Sequence, residues 1–155
     1  MAEKNDIPWD EIDKNMIDLV RELNSFEGVK TFSCCGGHSS PGSGQWPKGH
    51  FYLSFKVNQT KAGWLALEFL TWFINGQNGL NSYYKNKSES KIRLEIHSLP
   101  PYNVGPGEAL EFKIVGNNGV TPEQLAVDLR QERSKFVTPE EYARRWETHD
   151  KWPPG

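Results

Sequence analysis

An alternating run at residues 50–57, HFYLSFKV, most narrowly limits what this chain can fold into. Successive side chains of a β-strand point to opposite faces, so an apolar residue at every second position is typical of a strand with one buried face. Polar residues occupy the positions between, which predicts a half-buried strand. The apolar positions are Phe51, Leu53, Phe55 and Val57.

Three further segments predict neighbouring strands. Residues 91–99, KIRLEIHSL, alternate in the same way, and a β-rich run at residues 29–34, VKTFSC, ends at two glycines. Alternation at Leu110, Phe112 and Ile114 indicates a fourth strand, which the sequence GNNG closes. Each of these strands has one apolar side that must be covered by another element.

Four helices are predicted around these strands. Residues 9–24 have apolar side chains at helical spacing, and residues 61–75 are apolar nearly all round. Two more helices begin at capping boxes with proline at the first helical position, TPEQ from residue 121 and TPEE from residue 138. The large aromatic residues of the second helix are predicted to lie in the core: Trp64, Phe69, Trp72 and Phe73.

The predicted order of elements is α-β-β-α-β-β-α-α. This order favours an α+β fold with a small, mostly antiparallel sheet of about four strands and helices packed on one face. The strand order stays open. A chain of 155 residues predicts a single domain over residues 1–155. Residues 36–49 are predicted to form a flexible Gly/Ser/Pro loop, and residues 150–155 a frayed tail.

Composition narrows the partners and the compartment. A net charge of −2 supplies no basic surface for bulk nucleic acid. The longest apolar run, residues 64–74, contains Glu68 and is about half the length of a membrane span, and the first residues lack the apolar core of a signal peptide. Cys34 and Cys35 are the only cysteines, so there is no disulfide framework. We therefore expect a cytoplasmic protein with reduced thiols and no membrane contact.

The candidate site is the segment TFSCCGGHSSPGSGQWPKGH, residues 31–50. At the end of a strand, the backbone amides of Gly36 and Gly37 can form a concave nest for an anion. Nearby side chains could add charge, donors or a stacking surface for a base: Ser33, His38, Trp46, Lys48 and His50. The alternative is an ordinary connection between two strands.

A metal site is disfavoured by the sequence. The possible ligands are Cys34, Cys35, His38, His50 and His97. Structural zinc sites use paired ligand sets such as Cys-x2-Cys, whereas adjacent cysteines on a strand point to opposite faces. We therefore predict no metal, with Cys34 directed into the core as a small hydrophobic side chain.

A nucleophilic cysteine is another hypothesis. Cys35 lies beside a turn rich in N–H groups, where the pKa of a thiol tends to fall, and His38 is close enough in sequence to act as its base. Glu95 is a candidate to orient the histidine. Burial of Cys35 for structural reasons is the alternative.

One face of the third strand carries Arg93, Glu95 and His97 by alternation. These residues either form a solvated charged face or continue the floor of the pocket beneath the loop, together with Tyr52 and Ser54. The sequence leaves both open.

The N-terminal third of the chain resembles a known family. A helix with the sequence LVRELNSFEGVKT runs into TFSCCGG, and a strand follows after a polar loop. This arrangement is similar to the start of the wybutosine-synthesizing tRNA methyltransferase family, whose motif reads Thr-x-Ser-Ser-Cys-Ser-Gly-Arg. The resemblance covers residues 12–57. Matching positions are Thr31, Ser33, Cys35 and Gly37, whereas Cys34, Gly36 and His38 depart from the motif.

The resemblance implies an α/β fold with the Ser-Cys-Gly loop at the active site and S-adenosylmethionine as the methyl donor. On that basis we expect a transferase that acts on a small ligand or a nucleotide, with Cys35 and His38 as catalytic residues. The alternative is a non-enzymatic protein that captures a small anionic or nucleotide ligand under the loop. A third hypothesis, docking of a protein partner by Trp146 and Trp152, is left open.

Overall fold

The computed structural model describes residues 7–78, 92–97, 109–117, 119–133 and 144. Its elements, in chain order, are two short 3-10 turns (Trp9–Glu11 and Lys14–Met16), helix α1 (Ile17–Asn24), strands β1 (Val29–Cys35) and β2 (His50–Val57), helix α2 (Lys61–Asn78), strands β3 (Ile92–Ile96) and β4 (Leu110–Asn117), and helix α3 (Pro122–Arg133). The predicted order is confirmed as far as α3. The helix predicted from residue 138, apart from Arg144, and the tail at residues 150–155 lie outside the described residues.

The four strands form one antiparallel sheet in the order β1-β2-β4-β3. Leu53 of β2 pairs with Ile114 of β4, which pairs in turn with Leu94 of β3. The α+β class is therefore confirmed, while the α/β architecture implied by the family resemblance is not what these pairings form. β1 and β3 are the two edges of the sheet.

The helices cover one face of the sheet, as predicted. All four apolar positions of β2 are at most 1% exposed, and they pack with the buried faces of the three helices in one cluster. Full burial of a side chain of this size contributes about 1.5–3 kcal/mol. None of the described helices is long and apolar enough to span a lipid bilayer.

The helix predicted over residues 9–24 is interrupted. The backbone is extended at Ile12 (φ −85°, ψ 133°) and at Asp13 (φ −52°, ψ 133°), and the α-helix begins only at Ile17. The predicted apolar face is nevertheless present, because Met16, Leu19, Val20 and Leu23 are all buried in the core. Because of this break, the Asp13 carboxylate is not held in a helix and accepts a hydrogen bond from the loop after β1.

Asn24 joins the end of α1 to the start of β1. Its amide donates to Val20 O and to Thr31 Oγ1, both at 2.8 Å, and its Oδ1 accepts the Thr31 backbone N–H at 3.1 Å. Asn24 is only 6% exposed, so these bonds satisfy a buried polar group that would otherwise destabilise the fold.

Two of the four aromatic residues predicted for the core are exposed. Phe69 and Phe73 are buried, whereas Trp64 is 37% and Trp72 is 54% exposed. Trp64, Glu68 and Trp72 are spaced four residues apart and therefore share the side of α2 opposite the sheet. The prediction was wrong for the tryptophans because a run that is apolar all round does not show which side meets the sheet.

Candidate functional site

The loop between β1 and β2 folds back on itself. The His38 backbone N–H donates to Trp46 O at 2.8 Å, and the Lys48 N–H donates to His38 O at 2.9 Å. These bonds place Trp46 next to the end of β1. Gly37 has a φ of +92°, and a Cβ there would lie 2.6 Å from His50 O, so this position requires glycine for the backbone to close. Lys48 is exposed and His50 half-buried in the closing turn.

Asp13 is the site residue that the sequence did not reveal. Its Oδ2 accepts the Gly36 backbone N–H at 2.8 Å and lies 3.1 Å from His38 Nε2. Asn15 Nδ2 donates to Gly36 O at 2.9 Å. The partners of Asp13 lie 23 and 25 residues away in sequence, so no local pattern could have indicated them.

These bonds correct the prediction of an open anion nest as far as Gly36 is concerned. The Gly36 amide is already paired with the Asp13 carboxylate, and the His38 amide with Trp46 O. The loop does bind an anion through a glycine amide, but the anion belongs to the chain itself. A Cβ at Gly36 would overlap the Asn15 side chain, so this glycine also permits a close contact.

The two cysteines have different surroundings. Cys35 is 3% exposed, and its Sγ accepts the Trp46 backbone N–H at 3.3 Å. Cys34 is half-buried against the core, where burial, assisted by the charge of Asp13 and by Cys35, raises its pKa from 9.0 to about 11. Cys34 is therefore a neutral thiol near pH 7 and lacks the thiolate that a nucleophile needs.

The face of the sheet opposite the helices carries an aromatic and cationic cluster next to the loop. The rings of Trp46 and Tyr52 have centroids 4.8 Å apart. Lys113 Nζ lies 4.8 Å from the Tyr52 ring centroid and 6.0 Å from that of Trp46. Ser33 Oγ and Tyr52 Oη are 3.3 Å apart. We call these four residues the aromatic–lysine cluster.

Lys113 was missing from the predicted site, although a signal for it was present. It stands between Phe112 and Ile114, both of which face the core, so alternation in β4 directs it to the opposite face. Only the pairing of β4 with β2, which sets Lys113 opposite Ser54, brings it to the loop.

Arg93, Glu95 and His97 form an ion-pair network on β3. Arg93 Nε donates to Glu95 Oε2 at 2.7 Å, and His97 Nε2 lies 3.0 Å from Glu95 Oε1. The hydrogen bond from His97, followed by the bond and charge of Arg93, lowers the pKa of Glu95. β3 and β1 are opposite edges, three inter-strand spacings of about 4.8 Å apart. The hypothesis that Glu95 orients His38 is therefore wrong, because Asp13 is the carboxylate in contact with it.

A pocket of about 370 Å³ lies between the edge strand β1 and residues 7–12. It is in the size range of sites for small molecules. Ser33 and Cys34 line it together with Glu11, Ile12, Lys30 and Thr31. Ser33 therefore connects this pocket to the aromatic–lysine cluster.

One group of side chains near the loop has the donor types that bind metals. One ligand atom from each of Asp13, Cys35 and His38 lies within 4.8 Å of the others. Asp13 and His38 are about one-third exposed, whereas the cysteine is buried. The cluster is therefore open to solvent on its carboxylate and imidazole side.

Comparison with family models, curated proteins and solved structures yields no match for this chain.

Proposed function

We propose that this chain binds a small anionic ligand of the nucleotide type at the aromatic–lysine cluster, in the cytoplasm. The observation that supports it most is the position of Lys113 Nζ, 4.8 Å from the ring of Tyr52 and beside Trp46. Aromatic side chains stack on any nucleobase, and an adjacent ammonium group attracts phosphate. The hydroxyls of Ser33 and Tyr52 add hydrogen-bonding groups at the same place.

The charges near the loop favour binding of the ligand by lysine side chains over binding by backbone amides. Because the Gly36 amide is paired with Asp13, attraction of an anion near the loop depends on Lys113 and the exposed Lys48. A net charge of −2 for the chain agrees with a compact ligand held by a few cations better than with bulk nucleic acid.

Calorimetric titration with nucleotides and with S-adenosylmethionine tests this proposal. Lys113→Met keeps the length of the side chain and removes the charge, so we expect ligand affinity to fall about tenfold, since a partly desolvated charged contact contributes roughly 1.5 kcal/mol. Lys56→Met is the matched control, because Lys56 Nζ likewise lies over an aromatic ring, 5.4 Å from that of Phe32, on the same face.

The control should bind within about twofold of the wild-type protein, as expected for a charge outside the site. Absence of heat for every ligand at high micromolar concentration would refute the proposal. Equal losses in the two lysine variants would also refute it, because they would show attraction by general surface charge.

A transferase is the second candidate, favoured by the contact between Asp13 and His38. A carboxylate 3.1 Å from an imidazole nitrogen orients the ring and supports it as a base. S-adenosylmethionine would be the cofactor, and methyl transfer needs mainly alignment of the donor and the acceptor. Cys35 would then act by position rather than as a nucleophile, since it is buried.

Product analysis separates the enzyme from the binder. A transferase should convert S-adenosylmethionine to S-adenosylhomocysteine in the presence of a bound acceptor nucleotide, and His38→Gln should abolish turnover while it preserves ligand affinity. Recovery of unaltered ligand after binding would reject the transferase and leave the non-enzymatic binder.

A further inference from the structure

Three side chains with metal-binding atoms meet at the loop from three separate segments. Asp13 lies before α1, Cys35 is the last residue of β1, and His38 lies in the loop between β1 and β2. Asp13 Oδ2 and His38 Nε2 are 3.1 Å apart, and the group lies within 4.8 Å overall. A carboxylate, a thiol and an imidazole are all ligands that zinc accepts.

The spacing of these atoms agrees with tetrahedral coordination. Bonds of about 2.0 Å to nitrogen or oxygen and about 2.3 Å to sulfur require ligand atoms to lie roughly 3.3–3.6 Å from one another. The observed oxygen–nitrogen distance of 3.1 Å is close to this value, and no pair of ligand atoms exceeds 4.8 Å. Side-chain movements of about 1 Å would therefore complete the geometry.

Backbone donors surround the ligand atoms. The Trp46 N–H donates to Cys35 Sγ at 3.3 Å, and the Gly36 N–H donates to Asp13 Oδ2 at 2.8 Å. Donors of this kind stabilise an anionic thiolate and carboxylate and fix their orientation, as the outer partners of metal ligands do. Both donors belong to the loop whose closure requires glycine at position 37.

We propose that Asp13, Cys35 and His38 bind one divalent transition-metal ion, with Zn²⁺ as the best fit. Three protein ligands leave a fourth position for water or a ligand atom, which is the arrangement of catalytic zinc sites. Asp13 and His38 are 31% and 29% exposed, so the open position faces solvent. Metal binding displaces the thiol proton of Cys35, because the thiolate is the form that binds a metal.

This proposal revises the argument that the sequence supplies against a metal. That argument assumed that both adjacent cysteines would have to reach one ion. Only Cys35 takes part, because Cys34 lies on the core side of β1, packed against the hydrophobic core and paired with Leu53 of β2. Asp13 takes the place of the second cysteine.

The metal site and the aromatic–lysine cluster are separate sets of side chains. Trp46 connects them, because its amide bonds Cys35 and its ring packs on Tyr52, and Cys35 is also paired with Tyr52 across β1 and β2. With His38 bound to a metal, the role of the base in a transferase would pass to metal-bound water. Lys113 is not one of the three proposed metal ligands. Lys113→Met should therefore weaken nucleotide binding and leave the metal affinity unchanged.

Titration of the chelator-treated full-length protein with Co²⁺ tests the proposal. A cobalt–thiolate bond gives a charge-transfer absorption in the near ultraviolet, which we expect to saturate at one equivalent and to disappear on addition of Zn²⁺. Cys35→Ser should abolish this band and weaken Zn²⁺ binding by about 100-fold, because loss of a ligand should cost at least as much affinity as loss of a residue that only orients a ligand. Cys34→Ser is the matched control and should keep both the absorption band and the Zn²⁺ affinity.

Near-ultraviolet circular dichroism of the metal-free proteins shows whether each variant folds. If Cys35→Ser does not fold, His38→Gln decides: we expect it to keep a native spectrum and to lose at least tenfold in Zn²⁺ affinity, in line with disturbance of a metal shell. Absence of a thiolate band in the wild-type protein, loss of the band in Cys34→Ser, or unchanged affinity in His38→Gln would each overturn the proposal.

Discussion

Alkaline pH should destabilise this protein through the thiol of Cys34. Burial against the core raises the pKa of that thiol from 9.0 to about 11. The folded state therefore holds the proton more tightly than the unfolded chain does. Its contribution to stability is complete below about pH 9 and disappears as the pH rises towards about 11, where the folded state must also lose the proton.

The magnitude follows from the size of this rise. Each pKa unit corresponds to about 1.4 kcal/mol, so the rise corresponds to about 2.7 kcal/mol of unfolding free energy. Cys34 is only half-buried, and water screens part of the effect. We therefore expect about 1–2 kcal/mol to be lost across the interval.

Urea unfolding of the wild-type protein and of Cys34→Ser, measured at several pH values, isolates this effect. Serine does not ionise in this range, and the other titrating groups cancel in the difference between the two proteins. The difference in unfolding free energy should stay constant near neutral pH and change by about 1–2 kcal/mol by pH 11. A second readout is alkylation of Cys34 by iodoacetamide, which should be slow in the folded protein at neutral pH.

A free-energy difference that does not vary with pH would refute this reasoning. Alkylation of Cys34 at the rate of an unfolded thiol would do the same. Either result would make Cys34 a candidate nucleophile and would remove its value as the control in the cobalt experiment.

Two further predictions concern the framework of the site. Gly37→Ala should lower the unfolding free energy by about 2 kcal/mol or more, whereas Gly44→Ala should cost only about 1 kcal/mol in a thermal melt; both glycines have positive φ, but only at Gly37 does a Cβ meet backbone atoms. Similar losses in both would show that the contact with His50 O is unimportant. Asn24→Ala leaves the buried Thr31 N–H without its acceptor and should cost about 1–3 kcal/mol in urea unfolding, against less than about 0.5 kcal/mol for the exposed Asn58→Ala. Equal effects of the two asparagine variants would contradict the buried network.

The elements that depend on local pattern were predictable. Strand β2 has the predicted bounds, since alternation of apolar residues survives in any sheet with one covered face. Helix α3 begins where its capping threonine indicated, and Thr121 Oγ1 accepts the Gln124 N–H at 3.1 Å.

Other features required the assembled sheet. The order β1-β2-β4-β3 separates Glu95 from the loop and brings Lys113 towards it. Alternation in β4 indicates the face on which Lys113 lies, but the strand order that brings it to the loop has no signal in the sequence. The exposure of Trp64 and Trp72 likewise depends on which side of α2 meets the sheet.

The class of fold, the buried faces of β2 and β4 and the position of the loop could all be read from the amino-acid pattern, because each depends on residues a few positions apart. What the loop contains depends instead on long-range contacts that form only in the folded chain. Asp13 comes from a segment with a helical pattern, and its carboxylate leaves that pattern to take the amide of Gly36 and the imidazole of His38. A contact across more than twenty residues outweighs a local helical preference when it satisfies a charge and an amide together.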